Sequence, residues 1–222
     1  MIEQVTLRDG TDAFVVPLER TDRAALVAEF ETLSPESQRR RFLAPVRHLS
    51  DTMLDHLVDD VDGVDHIALV LCAETSPDVY DPVALARMVR YADATDAADL
   101  AVTVKDEWQG RGVATALLDV LVRARPVGVK RIITEVLQDN PASLEMLRRL
   151  GPVELEDEGN GVYGVVVELE PHAPGDGSAD GSVRTPSRVP VARIGRRPTP
   201  LLHEPRHRHE LRTRDQVCPW FH

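Results

Sequence analysis

The stretch "VTVKDEWQGRGVATALLDVLV", residues 102–122, decides the reading of this chain. It opens on β-branched residues, passes a short polar turn holding Gly110 and Gly112, and enters a helical apolar pattern. Glycine weakens a helix, so its place at the mouth of one needs a reason. The first turn of a helix carries backbone N–H groups without partners, and the helix dipole is positive there. With bare glycine backbone beside it, such a mouth is an anion site, most often for phosphate. A strand-to-helix turn that needs glycine for its own geometry is the competing explanation. The stretch is neither Gly-x-Gly-x-x-Gly nor Gly-x4-Gly-Lys-Ser/Thr, so neither a dinucleotide fingerprint nor an NTP loop is present.

Working outward, "QVTLRD" and "AFVVPL" read as two strands around Asp9-Gly10. "TDRAALVAEFETL" reads as a helix capped by Thr21. Ser34 with Pro35 starts a second helix, and Ser50 a third over "LSDTMLDHLVD". "HIALVLCAE" and "VALARMVRYA" form a strand pair separated by "TSPDVYDP". "DLAVTVK" is a strand, 112–125 a helix, and "RIITEVL" a strand. "NPASLEMLRRLG" is a helix with Asn140 as cap, Pro141 in its first turn and Gly151 as its stop. "PVELEDEGNGVYGVVVELE" closes as a hairpin. The order predicts an α/β (α+β) domain over 1–170, a mixed and mostly antiparallel sheet flanked by helices.

Residues 171–222 change character, being rich in Pro, Gly, Arg and His without a period, and read as a disordered tail. From residue 172 onward nine Arg face five acidic residues, so the tail is basic and the body before it strongly acidic. An acidic body argues against non-specific nucleic-acid binding. No apolar run is long enough for a membrane span, no signal segment opens the chain, and two cysteines make no disulfide framework. A cytoplasmic protein is expected. His203, His207, His209, Cys218 and His222 lack anything to orient them, so no metal site is assigned.

Gln109-Gly110-Arg111-Gly112-Val113-Ala114 matches Gln/Arg-x-x-Gly-x-Gly/Ala, and in this context the chain resembles the acetyl-CoA-dependent N-acetyltransferases of the GNAT superfamily over about residues 4–170. "LRDGTDAFVVPLERTDRAALVAEFETLSPESQRRRFLAP" and "LSDTMLDHLVDDVDGVDHIALV" look like the acetyltransferase domain of bacterial protein lysine acetyltransferases of the Pat type. Those domains are often fused to a cyclic-nucleotide domain or an acyl-CoA synthetase; a free-standing relative is implied here. The resemblance implies the GNAT fold and direct transfer from acetyl-CoA, as cosubstrate, to a primary amine. The acceptor would be a protein lysine or a small amine, and an acyl-CoA sensor without turnover is the non-enzymatic alternative.

The resemblance further implies that backbone N–H groups of Gln109, Gly110, Arg111, Gly112, Val113, Ala114 and Thr115 take the pyrophosphate. The pantetheine arm would lie along 100–104, through Val102 and Val104, with a backbone N–H near Val102 facing the oxyanion. Asn140 stands where relatives often have a cofactor-contacting Asn, although a helix cap explains it equally well. A lysine amine, with a pKa of about 10.4, must lose a proton before it attacks. Alternation sets Asp99, Ala101 and Thr103 on one face of their strand and an apolar set on the other, which makes Asp99 the candidate base. Pat-like relatives often have Glu near this point; the shorter Asp favours a bridging water. Many members of the superfamily have Tyr seven residues after the Asn as acid; here Leu147 occupies that position and the acid stays unassigned. His66, opening a strand, reads as structural.

Overall fold

The computed structural model describes residues 2–77 and 79–170. The predicted tail, with its His and Arg residues, lies outside them. Among the described residues eight strands form one sheet in the order β1-β2-β3-β4-β5-β6-β8-β7. These are β1 Glu3–Thr6, β2 Asp12–Pro17, β3 His66–Ser76, β4 Val79–Arg90, β5 Ala97–Val104, β6 Arg131–Leu137, β7 Val153–Gly159 and β8 Val162–Glu168. All neighbours are antiparallel except β5 and β6, whose parallel pairing is confined to Ala97–Arg131 and Ala98–Ile132. Beyond those two pairs the strands diverge. The helices are α1 Arg23–Glu31, α2 Pro35–Phe42, α3 Asp51–Leu54, α4 Val113–Arg123 and α5 Pro141–Arg148. The expected mixed, mostly antiparallel sheet flanked by helices is therefore present.

Each sheet face has its own apolar layer. On one, α4 buries Val113, Leu117, Leu118, Val120 and Leu121 against Leu69, Leu71, Ala86, Met88 and Leu100. Full burial of such side chains contributes about 1.5–3 kcal/mol each. On the other, Phe30 of α1, Leu33 of the link and Phe42 of α2 meet Leu57 and Val58 over Ala68, Val70 and Leu85. The scarcity of aromatics shows here: one edge-to-face pair, Phe30 with Phe42 at 5.6 Å, anchors this second layer.

Several expected boundaries move. Thr21 does not cap α1: a 3₁₀ turn over Arg20–Asp22 precedes it, and Asp22 accepts from the Glu19 N–H at 2.9 Å. Ser50 does cap α3, but after Leu54 the helix widens into a π turn over Asp55–Asp59. The region "TSPDVYDP" is mostly strand. β4 already runs through Pro82, which the sheet tolerates because the register shifts between Leu71 and Cys72, opposite it.

Gly151 is needed for a different reason than expected. Its φ is not positive, so it is no left-handed stop. A Cβ there would lie 2.0 Å from the Glu168 carbonyl oxygen of β8. Backbone must move to admit any side chain. Gly151→Ala is therefore expected to lower the unfolding free energy by about 2 kcal/mol, within the range for forced overpacking. Chemical denaturation monitored by circular dichroism measures this.

Candidate active site

The divergence of β5 from β6 has a consequence for the backbone. Lys105 N–H donates to Val83 O and Tyr91 N–H to Ala97 O, which fixes the phase of the β4–β5 ladder. Asp99, Ala101 and Thr103 thus spend their backbone groups on β4, and those of Val102 and Val104 face the gap. The gap opens into a cleft of about 370 Å³. Its walls are β5 from Leu100 to Val104, the glycine turn, the start of α4, β6 from Thr134 to Val136, and α5. Thr134, at the apex, donates its hydroxyl to Leu100 O at 3.0 Å.

The glycine turn needs glycine for its own geometry. Gly110 and Gly112 have φ of 76° and 90°, in the left-handed region. Gly112 is the N-cap of α4, and no side chain caps that helix. The first N–H groups of α4 therefore stay available at the cleft, where Val113, Ala114 and Thr115 lie. A Cβ on Gly112 would sit 3.2 Å from Arg8 Cβ, in the turn between β1 and β2.

Of the residues singled out from sequence, Val102, Val104, Gln109, Gly110, Gly112, Val113, Ala114, Thr115 and Asn140 line the cleft. Arg111 does not. Its guanidinium stacks over Trp108 at 3.9 Å, donates to Asp9 at 2.6 Å and to Thr11 at 3.0 Å, and so ties the glycine turn to the β1–β2 turn. Gln109 is also engaged: its amide donates to Ser37 Oγ and to Val104 O. Asn140 caps α5, accepting from the Ser143 N–H and donating to the Ser143 hydroxyl. Leu147 lines the cleft and is buried.

Asp99 is buried, 6% exposed, and lies behind the cleft rather than on its wall. Burial pushes its carboxyl up to about 7; the Thr134 hydroxyl, the Arg41 and Arg87 guanidinium groups and the Leu100 backbone hold it from rising further. Arg87, also buried, is brought down to about 9 by burial and by the like charge of Arg41. Its Nη2 donates to Leu57 O. His66 shares this face, since His66 pairs with Val89 and Val89 with Asp99. Burial and Arg87 lower its imidazole to about 3, so it is neutral.

A second cavity, an apolar groove of about 290 Å³, lies on the α1–α2 side of the sheet. Leu26, Phe30, Leu33, Phe42, Val70 and Leu85 are among its walls, with Asp22, Glu29 and Lys105 as charged members. Groove and cleft share two residues, Thr103 and Arg41.

Sequence reading missed the basic wall of the cleft: Arg8, Arg40, Arg41 and Arg149. Three distant segments supply it. One local signal was available, Ser34 and Ser37 ahead of "RRRF". Asp106 accepts from the Ser34 N–H at 2.9 Å, the Ser34 hydroxyl at 2.8 Å and the Ser37 hydroxyl at 2.7 Å. Partial burial would raise this carboxyl, but those hydrogen bonds bring it below its usual value. Asp106 thereby pins the start of α2 beside the glycine turn and aims Arg40 and Arg41 at the cleft.

Comparison with known proteins gives this fold its family. The profile described as the Acetyltransferase (GNAT) family matches residues 34–151, and the chain belongs to that family of acetyltransferases. It is 36% identical over 139 residues to Acetyltransferase Pat of Mycolicibacterium smegmatis, covering 62% of this chain and 40% of that protein. The crystal structure of the GNAT domain of S. lividans PAT is 32% identical, with a TM-score of 0.65, covering 76% of this chain and 97% of that one. A cAMP-binding acyltransferase from Mycobacterium smegmatis is 28% identical, with a TM-score of 0.53, and this chain spans 48% of its length. The chain thus spans less than half of these two longer proteins. No helix among the described residues is long and apolar enough to cross a membrane. Among the described residues no cluster of three or more His, Cys, Asp or Glu is arranged for a metal ion.

Gly112→Ala should weaken acetyl-CoA binding at least tenfold, because it strains a left-handed N-cap and presses on Arg8. Gly128→Ala, at a φ of 93° with nothing within 4 Å of the new Cβ, is the matched control and should leave affinity unchanged. Titration calorimetry compares the two.

Proposed function

We propose that the chain transfers an acetyl group from acetyl-CoA to a primary amine carried on an aliphatic arm, with a protein lysine as the acceptor. The observation that carries this reading is the meeting of the two cavities at Thr103, on the strand that bears Asp99, and at Arg41 of α2. The cleft fits the donor. The N–H groups of the glycine turn and of Val113 to Thr115 would take the pyrophosphate, with the basic wall balancing its charge. The free N–H groups of Val102 and Val104 would pair with the amides of the pantetheine arm, and that of Val102 would face the thioester oxygen. Arg111 and Gln109 hold the turn in shape by their side chains and would meet the donor through backbone.

The groove fits the acceptor. Its apolar walls suit the methylenes of a lysine, and the carboxylates of Asp22 and Glu29 suit the approaching ammonium, although Glu29 is paired with Lys105 at 2.5 Å. The resemblance to the Pat proteins favours a protein lysine over a small amine. A small aliphatic amine fits the same walls and is the second reading.

Asp99 is the base in this scheme. With a value of about 7 it is substantially ionised at neutral pH and still basic enough to take a proton. Standing behind the cleft wall, it works through a bridging water. The amine nitrogen, once neutral, forms the C–N bond; the C–S bond breaks and its electron pair stays on sulfur. One amine proton goes by way of the water to Asp99 and a second leaves with the thiol.

Ionised Asp99 is the working form, so kcat at saturating substrates should rise with pH with a midpoint near 7. In Asp99→Asn that rise should vanish, leaving only the climb toward the amine's own value near 10.4, with kcat reduced by about 10²–10⁴. A free-thiol release assay with lysine peptides and a panel of small amines reads both the profile and the acceptor. An unchanged profile in Asp99→Asn removes Asp99 from the role, and small amines outpacing every peptide favours the second reading.

A further inference from the structure

We propose that Arg41 is a catalytic residue: its guanidinium faces the point where cleft and groove meet and stabilises the thiolate as it leaves. This rests on the acetyl-transfer reading and assigns the part of the reaction that the sequence left vacant. Among the described residues no tyrosine, cysteine or histidine lines the cleft, and the position seven residues after Asn140 is Leu147. Among the described residues, then, no proton donor of the usual kind stands at the cleft. A cation is available, and it is the one charged side chain common to both cavities.

Several contacts hold Arg41 at this junction. It is 9% exposed, its guanidinium lies 4.8 Å from the centre of the Phe42 ring, and α2 is pinned by the Asp106–Ser34–Ser37 hydrogen bonds. Its field reaches Asp99. During transfer the negative charge moves: Asp99 becomes neutral as it takes the amine proton, and sulfur becomes anionic as the C–S bond breaks. A fixed cation facing both positions keeps the charge of the buried site balanced throughout. On a side chain only 9% exposed, such a preorganised charge is worth more than in solvent. Arg41 contributes a positive charge and N–H donors, and the thiolate takes its proton from the acylated nitrogen.

Arg87 is the rival cation, but it lines neither cavity and is turned to Leu57 O. The other polar or charged groups on this side include Arg40 on α2, His66 on β3, Asp99 and Thr103 on β5, Thr134 on β6, Asp60 near Arg87, and Asp22 and the Glu29–Lys105 pair in the groove.

The test needs no turnover. Free coenzyme A carries the thiol and acetyl-CoA does not, so their affinities, measured by calorimetry from pH 7 to 9.5, separate the sulfur's charge from everything else. If Arg41 stabilises the thiolate, the affinity for coenzyme A relative to acetyl-CoA should rise about fivefold to tenfold over that range in the wild-type protein. The rise should be absent in Arg41→Met and largely kept in Arg41→Lys. Should Arg41→Met fail to fold, Arg41→Gln, neutral and polar, carries the same reading. A flat wild-type ratio, or an equal rise without the guanidinium, overturns the proposal.

Turnover adds a second readout. Neutral substitution should lower kcat about 100-fold with acetyl-CoA affinity within threefold of wild type, and the deficit should persist at pH 9.5. Recovery of kcat above pH 9 would mean that Arg41 acts only on the ionisation of Asp99, which also overturns it. A wild-type protein that turns over no amine refutes the acetyl-transfer reading, and the coenzyme A titration still decides on Arg41.

Discussion

The structure turns on two β-bridges. β5 and β6 pair at Ala97–Arg131 and Ala98–Ile132 and then part. Continued pairing would satisfy the backbone of β5 but leave no cleft. Parting leaves N–H and C=O groups on a central strand without ladder partners, a condition that folded chains seldom tolerate. The protein meets part of that demand internally: Thr134 donates to Leu100 O, and Gln109 donates to Val104 O. What remains, the N–H groups of Val102 and Val104 and the carbonyl of Val102, is what an extended ligand with amide groups would satisfy.

The same divergence governs the electrostatics. Asp99 and Thr134 lie close to the apex, and α2 crosses this region with Arg41. A carboxylate so deeply buried is costly unless it is neutral or paired. Here the arginines on α2 and β4 and the Thr134 hydroxyl compensate enough to leave the carboxyl balanced near neutrality instead of permanently protonated. His66, two strands away, is driven neutral by the same burial and adds no charge to the balance.

Much of this was legible in the sequence because it is local. The glycine turn announces itself by Gly110 and Gly112 between a β-branched run and an amphipathic helix, and both glycines have the positive φ that a turn needing glycine for its own geometry demands. Strand alternation put Asp99 on the face away from α4, where it lies. Ser34, Ser50 and Asn140 cap the helices assigned to them. Other features depend on contacts between distant segments. Arg111 sits inside the motif, yet its side chain belongs to Asp9, about a hundred residues earlier in the chain. The arginines of the cleft come from the β1–β2 turn, α2 and the residue just after α5, and no spacing rule connects them. Gly151 looked like a helix stop, and only the approach of β8 shows why a side chain is excluded. Where Asp99 lies in depth, behind the cleft wall, follows from packing and not from strand periodicity.

The central claim is that β5 keeps one edge open for a ligand. Amide hydrogen exchange, read residue by residue by NMR with and without saturating acetyl-CoA, tests it directly. Asp99, Ala101 and Thr103, bonded to β4, should exchange slowly in both states. Val102 and Val104 should exchange fast in the free protein and slow markedly when acetyl-CoA is added. Slow exchange of Val102 and Val104 in the free protein, or no change on adding the ligand, would contradict the account.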